Sequence, residues 1–452
     1  MAGEWRELRL GDLVSKGALS ISDGYRVRNV ELGPEGIPFV RGGDIGDGWI
    51  NTTTIDHIRP EFADRVRAKL ARPGDVAFIT KGTVGRAGRL RPRQPAVVFA
   101  PQVAYWRVLA PDVLDSGFLF YLIQSHAFQS ALNGVKTHGS MVADYVSISL
   151  QHDFVFTFPD IGSQRAIAHI LGTLDDKIEL NRQMNETLEA MAGALFKSWF
   201  VDFDPVRAKA EGRDPGLPEP LADLFPDSFE DSELGEIPKG WPVKTLGELI
   251  ETVKGRSYKS EELVAGSDTA LVTLKSFARG GGYRADGLKP FAGTYKPEQV
   301  VKPGELVIAC TDVTQAAEVI GRPAVVRGTA GYRTLVASLD TLIVRPRYPS
   351  ITRPFLYFLG GTEAFVAHTY AHTSGTTVLH LAKEAVPSFK CALPPARLIE
   401  GFDSIARRAL SRLQTMEEES GTLAALRGTL LPKLISGELR VVHPQIPAEA
   451  MQ

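Results

Sequence analysis

The chain reads the same way twice, and this self-similarity constrains the fold more than any single motif does. Trp5 opens WRELRLGDL, and Trp241 opens WPVKTLGEL 236 positions later. ARPGDVAFI around Pro73-Gly74-Asp75 is answered by VKPGELVIA around Pro303-Gly304-Glu305 at a shift of 230. His138-Gly139 with Val142 is answered by Ser374-Gly375 with Val378 at 236, and Phe154 and Pro159 by Phe389 and Pro394 at 235. A length of 452 residues already predicts more than one core. The repeat divides that length into two halves of one plan.

Each half has two textures. Residues 1–158 and 239–394 carry short β-rich runs such as AVVFA, VAYWRV, TALVTL, ELVIA and DTLIV, punctuated by Gly, Pro and Asp. That pattern predicts mixed α/β domains. After Pro159, and again after Pro394-Pro395, the pattern becomes a long helix spanning 159–203 and 395–440; proline suits a first helical turn and disfavours helix just before itself. The first helix alternates by four and three through Ile167, Leu171, Leu174, Ile178, Asn181, Asn185, Leu188, Ala192, Leu195 and Trp199, which is a heptad seam. Adding 235 gives Phe402, Ala406, Ala409, Leu413, Met416, Ser420, Leu423, Arg427, Leu430 and Leu434. Arg427 is the misfit, and Gly428 with Pro432 should bend or end the helix there.

The expected fold is therefore α+β: two α/β-mixed domains separated by two long helices that form an antiparallel coiled coil, a pseudo-two-fold internal repeat. Asn181, Asn185 and Ser420 would help to fix its register. At 1.5 Å per residue the stretch from Pro159 to Phe200 would make a rod of about 60 Å. Residues 204–238 hold Pro205, Pro215, Pro218, Pro220, Pro226 and Pro238 among many acids, which reads as a solvated linker or a wrapping segment, and 441–452 reads as a tail.

Lys plus Arg is 51 against 53 Asp plus Glu, a net charge of -2, so any nucleic-acid footprint must be local. One local excess exists. Between Arg65 and Arg107 lie Arg65, Arg67, Lys69, Arg72, Lys81, Arg86, Arg89, Arg91, Arg93 and Arg107 against Asp75 alone, the kind of cluster that neutralises phosphates. The second half has a weaker version in Lys254, Arg256, Lys259, Lys275, Arg279 and Arg284, and its polar loop HTYAHTSGTT aligns near KTHGSM of the first. Candidate DNA contacts are Lys81, Thr83, Arg86, Arg89, Arg91, Lys136, His138 and Ser140, then Lys275, Arg279, Arg284, His372, Ser374 and Thr376. Arg can grip guanine edges bidentately, and polar loops can read base edges.

Other chemistry finds little support. Cys310 and Cys391 form no CxxC, so a zinc ribbon and a disulfide framework are excluded and a reducing compartment is expected. MAGEWRELRL lacks the apolar core of a signal peptide, and the longest apolar run, near Phe118 to Ile123, is far too short to span a bilayer, so no membrane partner and a cytoplasmic location are expected. Asp160 with Asp175 and Lys177 mimics a nuclease spacing, but the last two flank the helical seam. His368 and His372 stand four apart in a turn-like segment without the glutamate of HExxH. Gly82, Gly85 and Gly88 follow Lys81 without a GK[ST] phosphate loop, and no metal site or catalytic residue is expected.

The stretch ALFKSWFVDFDPVRAK from Ala194 to Lys209, the ending LLPKLISGELRV from Leu430 to Val441, and the restart IPKGWPVKTLGEL together resemble the specificity subunit of Type I restriction-modification systems over essentially the whole chain. The resemblance implies two target recognition domains, each reading half of a bipartite double-stranded DNA target. It also implies helical spacers that set the gap, two adenine-N6 methyltransferase subunits as partners, and restriction subunits that join afterwards. S-adenosylmethionine, ATP and Mg2+ would belong to those partners, and this chain would bind no cofactor and do no covalent chemistry. A scaffold joining two protein-binding domains through a coiled coil is the alternative.

Overall fold

The β-rich runs form strands in the computed structural model, which describes residues 5–46, 48–54, 56–136, 146–313 and 317–441. It divides into two compact units: residues up to Leu180 together with those from Ser420 onward, and Asn181–Glu419. The division cuts each long helix, so each unit owns one domain and part of both helices.

In the first unit a four-stranded antiparallel sheet has the spatial order Leu19–Asp23, Val103–Val108, Val76–Ile79, Ala87–Arg89. Alternation along Val103–Val108 sends Tyr105 and Trp106 to opposite faces. Tyr105 joins Val40, Ile79, Val97 and Phe99 on one side. Trp106 packs edge-on to Phe78 and Phe128 on the other, and its buried Nε1 donates to Gln151 Oε1 at 2.8 Å. A second sheet contains a parallel pair, Ile37–Val40 beside Val97–Phe99. Ser116–Gln124, the apolar run of the sequence, is a buried helix capped by the Asp115 carboxylate accepting from Phe118 N.

The second unit has the same strand order in its four-stranded sheet: Ile250–Lys254, Thr341–Pro346, Leu306–Ala309, Pro323–Val325. Its parallel pair is Thr269–Val272 beside Thr334–Ala337. A helix, Arg353–Gly360, follows with Thr352 as cap.

The long helices run Ile161–Phe200 and Ala396–Ile435. Asp160 caps the first by accepting from Ser163 N at 3.1 Å. Every seam position is buried or half-buried: Ile167, Leu171 and Leu413 are buried, and Leu174, Ile178, Leu188, Leu195, Leu423 and Leu430 half-buried. Within the first unit Ile167 and Leu171 share a core with Leu434 and Ile435, and Asp175 pairs with Arg427 at 2.7 Å, so the two helix segments run antiparallel. Within the second, Phe196 meets Phe402 with ring centroids 5.3 Å apart, while Asn181 donates to Glu419 at 2.8 Å, again in antiparallel sense.

Three expectations need correction. The second helix does not end at Gly428 or Pro432; it continues to Ile435, because a proline in the last turn forfeits only one bond to the carbonyl four residues back in a helix already held by Leu434 and Ile435 in the core. Arg427 is no misfit, since its seam place lets it meet Asp175 on the other helix. The stretch 204–238 is not a solvated linker. It begins with the short helix Asp204–Ala210, ends in the hairpin Phe229–Ser232 with Gly235–Pro238, and contributes buried Val206 and Phe225 to the second unit's core, Phe225 lying edge-on to Trp199. Six apolar side chains, Val206, Leu217, Leu221, Leu224, Phe225 and Phe229, outweigh its acids, which stay at the surface.

Candidate nucleic-acid interface

In the first unit the strand Val76–Ile79 runs into a tight loop. Gly82 and Gly85 have φ near +93° and +96°, a region that glycine enters without strain, and Gly85 N closes the loop onto Ile79 O at 2.9 Å. Lys81 and Thr83 are thereby held out in solvent. The carbonyl of Thr80 accepts from Val146 N at 3.1 Å, which ties Val146 to the start of this loop. His138 and Ser140, and the side chain of Lys136, lie outside the described residues.

The second unit makes the same junction: Cys310 O, after the strand Leu306–Ala309, accepts from Leu381 N at 2.8 Å. Here the following segment is a hairpin, Thr373–Ser374 with Leu379–Leu381, paired on its far side to Thr311-Asp312. Its turn requires Gly375, with φ +110°, where a Cβ would stand 2.0 Å from Val378 O. Ser374 and Thr376 project from that turn and are exposed. Of the two histidines only His372 is in the turn: His368 lies in the helix Glu363–Ala371 and His372 caps its end, with His372 Nδ1 2.8 Å from His368 O and the rings 4.3 Å apart. Burial, then the neighbouring His372, holds the His368 imidazole below the usual histidine range. Tucked against Ala385 O and Ser388, His368 is a packing residue, and exposed His372 remains at the edge of the loop.

The basic cluster is smaller than its residue list suggests. Arg107 and Asp75 form a largely buried bidentate pair at 2.6 and 2.9 Å, Arg65 reaches Glu31 at 3.2 Å, and Lys69 pairs with Asp23. Arg86 donates to Gly42 O at 2.9 Å, and Arg89 lies half-buried over the Phe120 ring at 5.6 Å; both hold the fold rather than face solvent. Arg91 is half-buried beside Gln94. Exposed cations without an ion pair among the described residues are Arg67, Arg72, Lys81 and Arg93. In the second unit Arg284 is bound by Asp286 at 2.5 and 3.1 Å and Arg279 faces Glu318 at 3.3 Å, whereas Lys275 is exposed on its turn. The sequence counted charges, but ion pairs spend them, and only the partner's position reveals which.

One residue escaped the sequence reading. Trp49 is 50% exposed on a turn whose carbonyl lies against Gly88, where a Cβ would come within 2.6 Å, so an open aromatic face sits beside the glycine loop. Such faces stack on bases. The signal was a lone tryptophan in the polar glycine turn GDIGDGW. The second unit has Gly280, Gly281 and Gly282, all at positive φ, in the matching turn, with Gly280 N donating to Glu318 O.

The spacings that mimic catalytic motifs assemble no reaction centre among the described residues. Asp175 of the nuclease-like spacing is committed to Tyr121 and Arg427, and no metal-holding cluster of His, Cys, Asp and Glu occurs among the described residues. Burial pushes both cysteine thiols up to about 12, far from nucleophilic range. No helix among the described residues is long and apolar enough to cross a membrane. What remains is a pair of polar, glycine-shaped loop surfaces.

Residues 2–190 match the model of the Type I restriction modification DNA specificity domain. That stretch, and the relatives and solved structure that follow, make the chain similar to Type I specificity subunits. A Type I restriction enzyme specificity subunit, HindI, of Haemophilus influenzae is 24% identical over 71% of the chain and 77% of its own length. The MjaIX specificity subunit of Methanocaldococcus jannaschii is 23% identical over 88% of each. The crystal structure of a Type I restriction-modification S subunit from M. genitalium superposes with a TM-score of 0.56 at 15% identity, covering 96% of both chains, which shows a shared fold.

Proposed function

We propose that this subunit reads DNA as a bipartite target, one half-site per unit, and that the paired long helices set the gap and dock two methyltransferase subunits. The observation that carries this reading is the repeated junction. Thr80 O to Val146 N in one unit and Cys310 O to Leu381 N in the other bring the same two segments together, yet the side chains they present differ. Lys81, Thr83 and Trp49 stand on one side, and Ser374, Thr376, His372 and Lys275 on the other. One frame with two sets of exposed donors and faces is what reading two different half-sites requires.

The subunit is non-catalytic. Adenine-N6 methyltransferase and ATP-dependent endonuclease activities belong to partner subunits in this reading, and S-adenosylmethionine, ATP and Mg2+ with them, in the cytoplasm. Exchanging residues 1–158 for those of a relative and mapping methylated adenines in the host genome tests the proposal. One half-site should change while the other and the gap stay. An unaltered pattern would overturn it and favour a scaffold of two protein-binding domains.

A further inference from the structure

Each unit contains a buried polar knot where its recognition domain meets both long helices. In the first, Tyr121 of the domain donates to Asp175 Oδ2 on the first helix at 2.7 Å, and Arg427 of the second helix holds Oδ1 of the same carboxylate at 2.7 Å. In the second, Tyr357 of the domain donates to Glu189 on the first helix. Arg327, just beyond the strand Pro323–Val325, reaches Glu417 on the second helix at 2.8 Å and Glu189 at 3.6 Å. Arg327 is only 7% exposed, and Tyr121 and Tyr357 are buried. Burial first, then the facing carboxylate, drives both phenols far above the usual tyrosine range, so each hydroxyl keeps its proton and remains a donor.

The knots are not copies of one another. At the shift of 235 that relates the seams, Asp175 corresponds to Leu410 and Arg427 to Ala192. Measured from the helix caps Asp115 and Thr352, Tyr121 stands one place later than Tyr357. The same three-way tie is thus built twice from residues at different positions, so the sequence repeat does not account for it.

Around both knots the contact between domain and helices is apolar, and apolar contact is non-directional: it resists separation but only weakly resists pivoting. Charge-assisted hydrogen bonds fix angle. We propose that Tyr121–Asp175–Arg427 and Tyr357–Glu189–Arg327–Glu417 are positioning latches that set the angle of each recognition domain on the helices, and so select the permitted gap between half-sites. This rests on the bipartite reading above. One base pair is about 3.4 Å along the duplex, so a modest pivot of a reading loop spans one register step.

The test uses the full chain expressed with its methyltransferase partners and maps methylated adenines genome-wide for wild type, Tyr121→Phe, Tyr357→Phe, Arg327→Met and Asp175→Asn. The latch variants should keep both half-site sequences but methylate sites with a gap one base pair longer or shorter at least tenfold above wild type. Tyr→Phe removes only a hydroxyl, so those two variants remain informative if the charge variants fold poorly. An unchanged gap preference, or weaker methylation at the native gap with no gain at a neighbouring one, would overturn the latches. Failure of the bipartite reading itself would show separately, as a wild-type methylation pattern lacking two half-sites.

Discussion

In the second unit the first long helix enters its core through rings: Phe196, Trp199 and Phe200 lie within 5.1 to 6.3 Å of Phe402, Phe355, Phe225 and one another. In the first unit the matching contact is aliphatic, Ile167 and Leu171 against Leu434 and Ile435, with Phe118 and Phe158 from the domain. The seam occupies equivalent positions in both, so burial is repeated while the chemistry that fills it is not. The difference teaches how much freedom a seam leaves. A buried position demands apolar volume, and aromatic stacking at one end, with the folded stretch 204–238 adding Phe225, exchanges for methyl packing at the other.

Truncation should expose the contrast most strongly. Trp199→Ala removes a side chain 2% exposed and is expected to destabilise the second unit by about 4 kcal/mol, against about 3 kcal/mol in the first unit for Leu171→Ala. Hydrogen exchange along the full chain reads the two units separately. Equal losses, or the reverse order, would break the claim that the ring-filled junction is the stronger.

The ion pairs should invert that order. Removing Arg427 strands Asp175, whose side chain is 17% exposed, whereas removing Arg327 leaves Glu417, at 36%, able to rehydrate, and also removes a guanidinium that was costly to bury. Arg427→Met should therefore cost about 2 kcal/mol and Arg327→Met about 1 kcal/mol. The second loss should also depend on pH. Burial holds the Glu417 carboxyl above its ordinary value of 4.5, with Arg327 opposing, so the native state binds the extra proton and stability falls as pH rises through the window above 4.5. Without Arg327 that window extends upward, and the deficit of Arg327→Met should grow from pH 4.5 toward neutrality. A deficit that shrinks over the same range would contradict the assignment.

The strands and both helix starts were legible because hydrophobic periodicity and proline are local signals. Arg427 and the 204–238 stretch were misread for a common reason: each is polar by composition, and each is rescued by a partner distant in sequence, Asp175 for the one and Trp199 for the other. Arg86 illustrates the same limit at the candidate interface, where a count of cations could not see Gly42 O, whereas the partner of Arg284, Asp286, stands only two residues on. Trp49 was missed because exposure of an aromatic is a property of the fold, not of its neighbours in sequence.

That distinction between free and spent cations gives a smaller effect, of about 1 kcal/mol or less in DNA affinity. Lys81→Ala and Lys275→Ala should each flatten the dependence of log affinity on log salt by about 0.9 if each meets one phosphate, without altering stability. Arg86→Ala and Arg284→Ala should leave the slope unchanged, and Arg86→Ala should lower stability by about 1 kcal/mol through the lost bond to Gly42 O. Equal slopes for all four would erase the difference between the exposed and the bound cations.

The smallest expected signal is the one that isolates a unit. Cys310 and Cys391 both lie in the second unit, and the first contains no cysteine. With both thiols pushed up to about 12 by burial, the thiolate fraction at pH 8 is on the order of 10⁻⁴, so a disulfide exchange reagent should react with neither on the timescale of free thiol. Labelling of the buried Cys391 then reports opening of the second unit alone. Trp199→Ala should accelerate it and Leu171→Ala should not, if each junction holds its own unit. Equal acceleration by Leu171→Ala would mean that loosening the aliphatic junction opens the aromatic one as well, and the two would have to be treated as a single cooperative core.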